Sequence, residues 1–273
     1  MGLKDVLVDD LPDEELARVI TSFDIVGDVA IIKVPDSLEH RKGVIADAVM
    51  EQHSNVNTVV RKVGERSGEF RVADYETLRG DTTETVHREH GCRYRLDPTT
   101  LYFSERLGHE RERVATQVGA GETVFDMFAG VGPFSIMIAR TRDPDAVHAV
   151  EKNPAAVDYL EQNIDLNNVD DVVTAHPGDV REVAPDVTAD RVIMNLPGSS
   201  EGFVDLAVER VRDGGTVHYY DFVAEDDLDS GAAEDAAVDL FADADADVSI
   251  DTVEVCGHYN PAVERVCFDV AVR

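Results

Sequence analysis

Residues 124–135, Val-Phe-Asp-Met-Phe-Ala-Gly-Val-Gly-Pro-Phe-Ser, constrain this chain more than any other stretch. An apolar strand ends at Asp126, the backbone turns through Gly130 and Gly132, and the apolar helix FSIMIA follows. A strand-turn-helix of this kind sets small residues and a helix N-terminus beside a ligand at the carboxyl edge of a parallel sheet. The surrounding sequence repeats the alternation. Strands are expected at 123–127, 146–151, 172–179, 191–196 and 216–223, and helices at 134–142, 154–167, 201–211 and 231–244. Parallel strands need helical crossovers, so residues 115–273 are expected to form an α/β domain with a doubly wound sheet. A closing pair at 248–257 and 265–273, turning at His258-Tyr259-Asn260-Pro261, adds an antiparallel edge.

The strand at 146–151 delivers Glu151 about 25 residues after Asp126, where an acidic side chain grips a ribose diol. Asp126 and the Gly130/Gly132 turn are placed to meet the rest of such a ligand through backbone groups. Phe128, Ala129 and Lys152 complete the expected lining. Asp179, ending the third strand, is placed to accept from an adenine amino group. A dinucleotide site wants a third glycine three residues after Gly132, but Ser135 stands there. No arginine suited to a pyrophosphate accompanies the turn. The expected cofactor is therefore S-adenosylmethionine. Asn195-Leu196-Pro197 ends the fourth strand close to where the reactive centre lies. Asn195 carries both donor and acceptor, so it can hold a purine edge or an amine, and Pro197 stiffens the exit.

Residues 1–114 read as a smaller α/β module with a largely antiparallel sheet. Helices are expected at 13–23 and 40–52, and extended segments at 28–34, 57–63, 68–80 and 85–97. The 273 residues are 43% hydrophobic, enough to give both parts a core, yet the net charge is −31. The acids are interleaved with strand and helix periodicity, so they read as solvated faces adapted to molar salt, where the Debye length is ~3 Å. Their distribution is uneven. Residues 61–113 hold 11 basic and 11 acidic side chains, leaving the other 220 residues to carry the whole excess. A neutral, arginine-rich island in so acidic a chain points to a surface that accepts a nucleic acid. No apolar run reaches the ~20 residues of a membrane span, and the first residues lack an apolar leader core. A cytoplasmic monomer is expected. Cys92, Cys256 and Cys267 have no metal-type spacing, so no metal is expected.

Between the two parts runs Leu101-Tyr102-Phe103-Ser104-Glu105-Arg106-Leu107-Gly108-His109-Glu110-Arg111. A helix from Ser104 sets Arg106 and Glu110 at i and i+4, a salt bridge of ~0.3–0.5 kcal/mol. With FDMFAGVGPFSI, EKNP, GDVREV and MNLP, this segment resembles the archaeal and eukaryal tRNA guanine-N1 methyltransferases that act at position 37. The likeness runs from about residue 20 to residue 273. It implies a Rossmann-like methyltransferase domain behind a smaller RNA-binding module, S-adenosylmethionine as cofactor, and the tRNA anticodon loop as partner. By the same likeness Glu110 is the general base, Arg71 stabilises charge on the guanine O6, and Asn195 holds the base edge. Tyr102, Arg106 and Pro197 then line the base pocket with Arg71. The resemblance further implies a halophilic archaeon-like source and a chain that begins at the family's second module, without its outer-corner-binding domain. A sister group of wybutosine-pathway transferases moves the aminocarboxypropyl group instead and tends to lose the FSxRL and Asn-Leu-Pro patterns. Both patterns are present here, which favours N1 methylation over aminocarboxypropyl transfer and over a non-catalytic tRNA-binding relative. Gly198-Ser199-Ser200 departs from the bulkier or basic residue common after Asn-Leu-Pro.

Overall fold

The computed structural model describes residues 2–64, 68, 70 and 73–273, so Arg71 lies outside the described residues. The chain divides into two compact units, Met1–Glu105 and Arg106–Arg273. The first holds α1 (Leu3–Val6), α2 (Asp13–Arg18), β1 (Asp24–Val26), β2 (Val29–Ile32), α3 (Lys42–Gln52), β3 (Thr58–Lys62), β4 (Tyr75–Arg79), β5 (Thr85–Glu89) and β6 (Cys92–Leu96). Among the described residues β1-β2-β3-β4 form one sheet and β5-β6 a separate hairpin. The β2–β3 pairing in that sheet is parallel, with α3 as its crossover, and the other two pairings are antiparallel. The helix expected through residue 23 stops at Arg18, because Val19-Ile20-Thr21 are β-branched and favour extended backbone. Leu7, Leu38, Ile45, Val49 and Val59 make the core.

The second unit contains α4 (Gly108–Gln117), β7 (Thr123–Asp126), α5 (Pro133–Thr141), β8 (Ala146–Glu151), α6 (Pro154–Asn167), β9 (Val173–Pro177) and α7 (Val180–Val183). It continues with β10 (Ala189–Met194), α8 (Val204–Arg210), β11 (Val211–Ala224), α9 (Glu225–Ser230), α10 (Ala232–Asp243), β12 (Val248–Asn260) and β13 (Val263–Val272). These strands form one sheet in the order β12-β13-β11-β10-β7-β8-β9. Neighbours from β11 to β9 are parallel, whereas β13 runs antiparallel to both β11 and β12. The sheet is doubly wound and Rossmann-like, as the alternation predicts. Successive strands leave β7 in opposite directions, through β8 on one side and β10 on the other. This is the topological switch point where such sheets bind ligands.

Local chemistry sets the helix boundaries. Asn153 caps α6 by accepting from the Ala155 amide at 3.1 Å, with Pro154 at the first helical position. Asn168 closes that helix in a left-handed conformation. Tyr219, Phe241, Phe268, Phe125 and Met194 pack into the core on the α8/α10 side of the sheet. Helix α4 packs on α5 and so belongs to the second unit, which begins at Arg106 rather than at the expected residue 115. Among the described residues no helix is long and apolar enough to cross a membrane.

Candidate functional site

At the switch point the β7 exit is laced to both neighbouring strands. The Met127 amide donates to the Ile193 carbonyl at 3.0 Å, and the Ala129 amide to Val150 at 2.8 Å. Gly130 and Gly132 take φ values of +57° and +89°, which a side chain resists. The Gly130 amide donates to Glu151 Oε2 at 2.7 Å and the Asn153 amide to Glu151 Oε1 at 2.6 Å. Each oxygen thus keeps a lone pair for a ligand hydroxyl. Burial raises the Glu151 carboxyl above its usual range, opposed by those amides. Asp126 is fully buried; Ser135 Oγ donates to its Oδ2 at 2.8 Å, while Oδ1 has no partner among the described residues. Burial, with Glu151 nearby, pushes this carboxyl up to about 7, against the Ser135 hydroxyl. A buried acceptor without a donor is costly and suits a ligand that brings a cation or N–H. A Cβ built on Gly130 would meet nothing within 4 Å, so the turn offers open backbone to a ligand. The residues present therefore fit S-adenosylmethionine.

Phe128 meets Phe203 edge-on at 5.0 Å, and the Arg181 guanidinium lies 5.0 Å above Phe203. Asp179 caps α7 but is also engaged by side chains. Arg181 donates from its amide and Nε to Oδ1 (3.0 and 2.9 Å) and from Nη2 to Oδ2 (2.6 Å). Lys152 Nζ adds a 3.0 Å bond to Oδ2. The Arg181 bonds, helped by Lys152, hold the Asp179 carboxyl well below its usual range. All four lone pairs are taken, so an adenine amino group meets Asp179 only after one of these cations moves. Arg181 is largely exposed, so water solvates its guanidinium when it swings aside.

Asn195 follows β10, the strand beside β7, with Ile193 level with Asp126. Its amide makes no hydrogen bond with another described residue. The loop beyond it is clamped: the Gly198 amide donates to Asp221 Oδ1 at 2.8 Å, Tyr219 Oη donates to Oδ2 at 3.2 Å, and Pro197 is buried. A cavity of about 510 Å³ opens beside this clamp, with Glu201, Tyr219, Asp221, Phe222 and Asp227 among its walls. In the first unit a cleft of about 600 Å³ is lined by Asp28 and Asn55 and, from the arginine-rich island, by Glu84, His87, Arg88 and Arg95.

Glu110 differs most from expectation. The segment opens with a 3₁₀ turn, Glu105–Leu107, and α4 starts only at Gly108, so the Arg106–Glu110 bridge does not form. Glu110 is 5% exposed instead, and its partners are Arg113 and Tyr220. Arg113 donates from Nε to Oε2 at 2.7 Å and from Nη2 to Oε1 at 2.8 Å; Tyr220 Oη donates to Oε1 at 2.7 Å. One lone pair of Oε2 remains. Arg113 also reaches Asp269, Nη1 to Oδ2 at 2.6 Å. The second unit thus gathers Asp126, Phe128, Ala129, Gly130, Gly132, Glu151, Lys152, Asp179, Asn195 and Pro197 around the sheet's carboxyl edge. Glu110 sits under Tyr220, one residue along β11 from Tyr219, the partner of Met194. Tyr102 lies in the first unit.

Arg113, Tyr220, His218 and Asp269 were not among the expected site residues. Arg113 and Asp269 stand 156 positions apart, so no spacing could join them. The available signal was polarity out of place: Asp269 and His218 interrupt the apolar strands RVCFDVAVR and TVHYYDFV. His218, Cys267 and Asp269 also bring ligand-type atoms within 4.8 Å of one another. Both Asp269 oxygens, however, already accept from Arg113, and a cation beside the cluster opposes a metal ion.

Residues 85–241 match the TRM5/TYW2 methyltransferase domain, and residues 3–83 the TYW2 N-terminal domain. The tRNA (guanine(37)-N(1))-methyltransferase Trm5b of Pyrococcus abyssi is 46% identical over 216 residues, covering 78% of this chain. This chain spans only 64% of that relative's length. The tRNA(Phe) (4-demethylwyosine(37)-C(7)) aminocarboxypropyltransferase of Methanocaldococcus jannaschii is 36% identical over 73% of this chain and 78% of its own. The crystal structure of P. horikoshii TYW2 in complex with MeSAdo superposes with a TM-score of 0.84 at 31% identity, covering 99% of this chain and 97% of that one.

Proposed function

The chain belongs to the TRM5/TYW2 methyltransferase family, and on that premise we propose that it methylates N1 of guanine 37 in tRNA. The observation that carries this reading is the switch point itself. A buried Asp126 oxygen without a described partner and an uncommitted Asn195 amide stand at the ends of adjacent strands. When bound there, S-adenosylmethionine supplies a methyl carbon made electrophilic by its sulfonium. Asp126 would hold the cofactor's ammonium group, Glu151 would accept from the ribose, and Asp179 would accept from the adenine once Arg181 moves aside. Phe128, Ala129 and the two glycines give the close backbone wall, and Lys152 flanks Glu151.

Guanine N1 carries a proton and becomes nucleophilic only as that proton leaves. Glu110 is the group to take it, through the remaining lone pair of Oε2. Charge then grows on O6, where a guanidinium stabilises it, the role assigned to Arg71. Asn195 fixes the base edge so that N1 lines up with the methyl carbon, with Arg106, Pro197 and, by the resemblance, Tyr102 as further base contacts. The base must leave its stack to enter such a site, as in a single-stranded loop. The anticodon loop of tRNA is therefore the partner, met by a monomer in the cytoplasm.

A second reading, aminocarboxypropyl transfer to a wybutosine precursor at the same position, has its own support. The first unit matches the TYW2 N-terminal domain, and the chain covers nearly all of a TYW2 structure. The retained Asn195-Leu196-Pro197 and Phe103-Ser104-Glu105-Arg106-Leu107 favour methylation. Mass spectrometry of position 37 decides, using unmodified tRNA and tRNA bearing 4-demethylwyosine, each incubated with protein and S-adenosylmethionine. One added methyl on N1 of guanine is expected. An added aminocarboxypropyl group selects the second reading, and no mass change on either substrate defeats both.

A further inference from the structure

One guanidinium serves two buried carboxylates. Arg113 binds Glu110 through Nε and Nη2, and Asp269 through Nη1 and Nη2, at 2.6 and 3.2 Å for the latter pair. Asp269 is 2% exposed and is held further by Gln117 Nε2 at 2.9 Å and His218 Nδ1 at 2.7 Å. The other His218 nitrogen faces Arg191 Nη1 at 3.5 Å, a group that can only donate. Facing Glu110 from the sheet are the Tyr220 hydroxyl and the thiols of Cys256 and Cys267, each kept protonated by burial. The triad of Glu110, Asp269 and Arg113 carries a formal charge of −1, two carboxylates against one guanidinium.

We propose that Asp269 is a positioning residue that divides the Arg113 cation between two carboxylates and so keeps Glu110 able to accept a proton. An arginine devoted to Glu110 alone would make a neutral pair, and proton uptake would strand a buried cation. With Asp269 present, uptake takes the cluster from −1 to zero and leaves the Arg113–Asp269 pair intact. The idea rests on the N1-methylation reading. There N1 gains its bond to the methyl carbon, the carbon–sulfur bond breaks with its electron pair going to sulfur, and the N1 proton ends on Glu110 Oε2.

The test is a carbon-13 NMR titration of the Glu110 carboxyl in the full chain without cofactor, its resonance assigned with Glu110→Gln. Asp269→Asn should move the titration midpoint to lower pH by about one unit, a tenfold change in proton affinity. Arg113→Gln should move it the opposite way. On tRNA, the acid limb of the pH–rate profile should follow in the same directions. A purely structural role would lower the melting temperature and leave both midpoints in place. Unmoved midpoints in either folded variant, or an upward shift in Asp269→Asn, would overturn the proposal. Should Asp269→Asn fail to fold, Arg113→Gln decides by itself. Midpoints that move as stated in a protein that leaves tRNA unmodified would defeat the methylation reading and leave this charge balance standing.

Discussion

Asp126 couples the cofactor cradle to pH. Its carboxyl titrates at about 7 in the folded chain because it is buried, against ~3.9 when exposed. The folded state therefore holds a proton that the unfolded state releases in that interval. The resulting stability is fully present below about pH 4 and is lost as pH climbs through about 7. The size is a few kcal/mol at most, because each tenfold gain in proton affinity is worth on the order of 1.4 kcal/mol. Asp126→Asn cannot ionise, so urea midpoints at pH 4.5 and 7.5 should differ by less in the variant than in the parent. An equal difference in both would assign the pH dependence elsewhere.

At the level of elements, the turn between β7 and α5 is where sequence and structure agree most closely. Asp126, Gly130, Gly132 and Glu151 are local, and their positions follow from one strand, one turn and the next strand. The two glycines nevertheless do different work. A Cβ on Gly132 would lie 2.6 Å from Leu160 Cδ1 and 2.8 Å from Ile136 Cδ1, whereas one on Gly130 meets open space. Gly132→Ala should therefore cost about 1–3 kcal/mol from overpacking on top of backbone strain. Gly130→Ala should cost only the left-handed strain, about 1 kcal/mol. Denaturant melts of the two variants test this, and equal losses would refute the packing account. Less was legible where the partners are remote. The spacing of Arg106 and Glu110 suggests a helical pair, but Arg106 lies in a 3₁₀ turn, the helix starts only at Gly108, and Glu110 pairs with Arg113. Asp179, expected to end the third strand, lies two residues beyond it as the cap of α7, and its neighbours Lys152 and Arg181 fill every lone pair, which no pattern of apolar residues announces.

For the whole molecule the governing quantity is the charge of −31. Ion pairs such as Arg61 with Glu39 and Glu76, or Arg191 with Glu122, engage only part of it. The remaining acids repel one another over distances that salt shortens, from ~10 Å at 0.1 M to ~3 Å at 1 M. Raising sodium chloride from 0.1 to 2 M should lift the melting temperature by about 5–10 °C, the equivalent of a few kcal/mol for a chain of this size. A flat or falling circular-dichroism melt across that range would remove salt adaptation as the reason for the composition. The sheet order has a consequence during synthesis. Strand β13 is made after β11 and β12 but lies between them. β12 is joined to the rest of the sheet through β13, so it cannot enter the sheet before β13 is made. Until β13 pairs with β11, Arg113 lacks its second anion, Asp269.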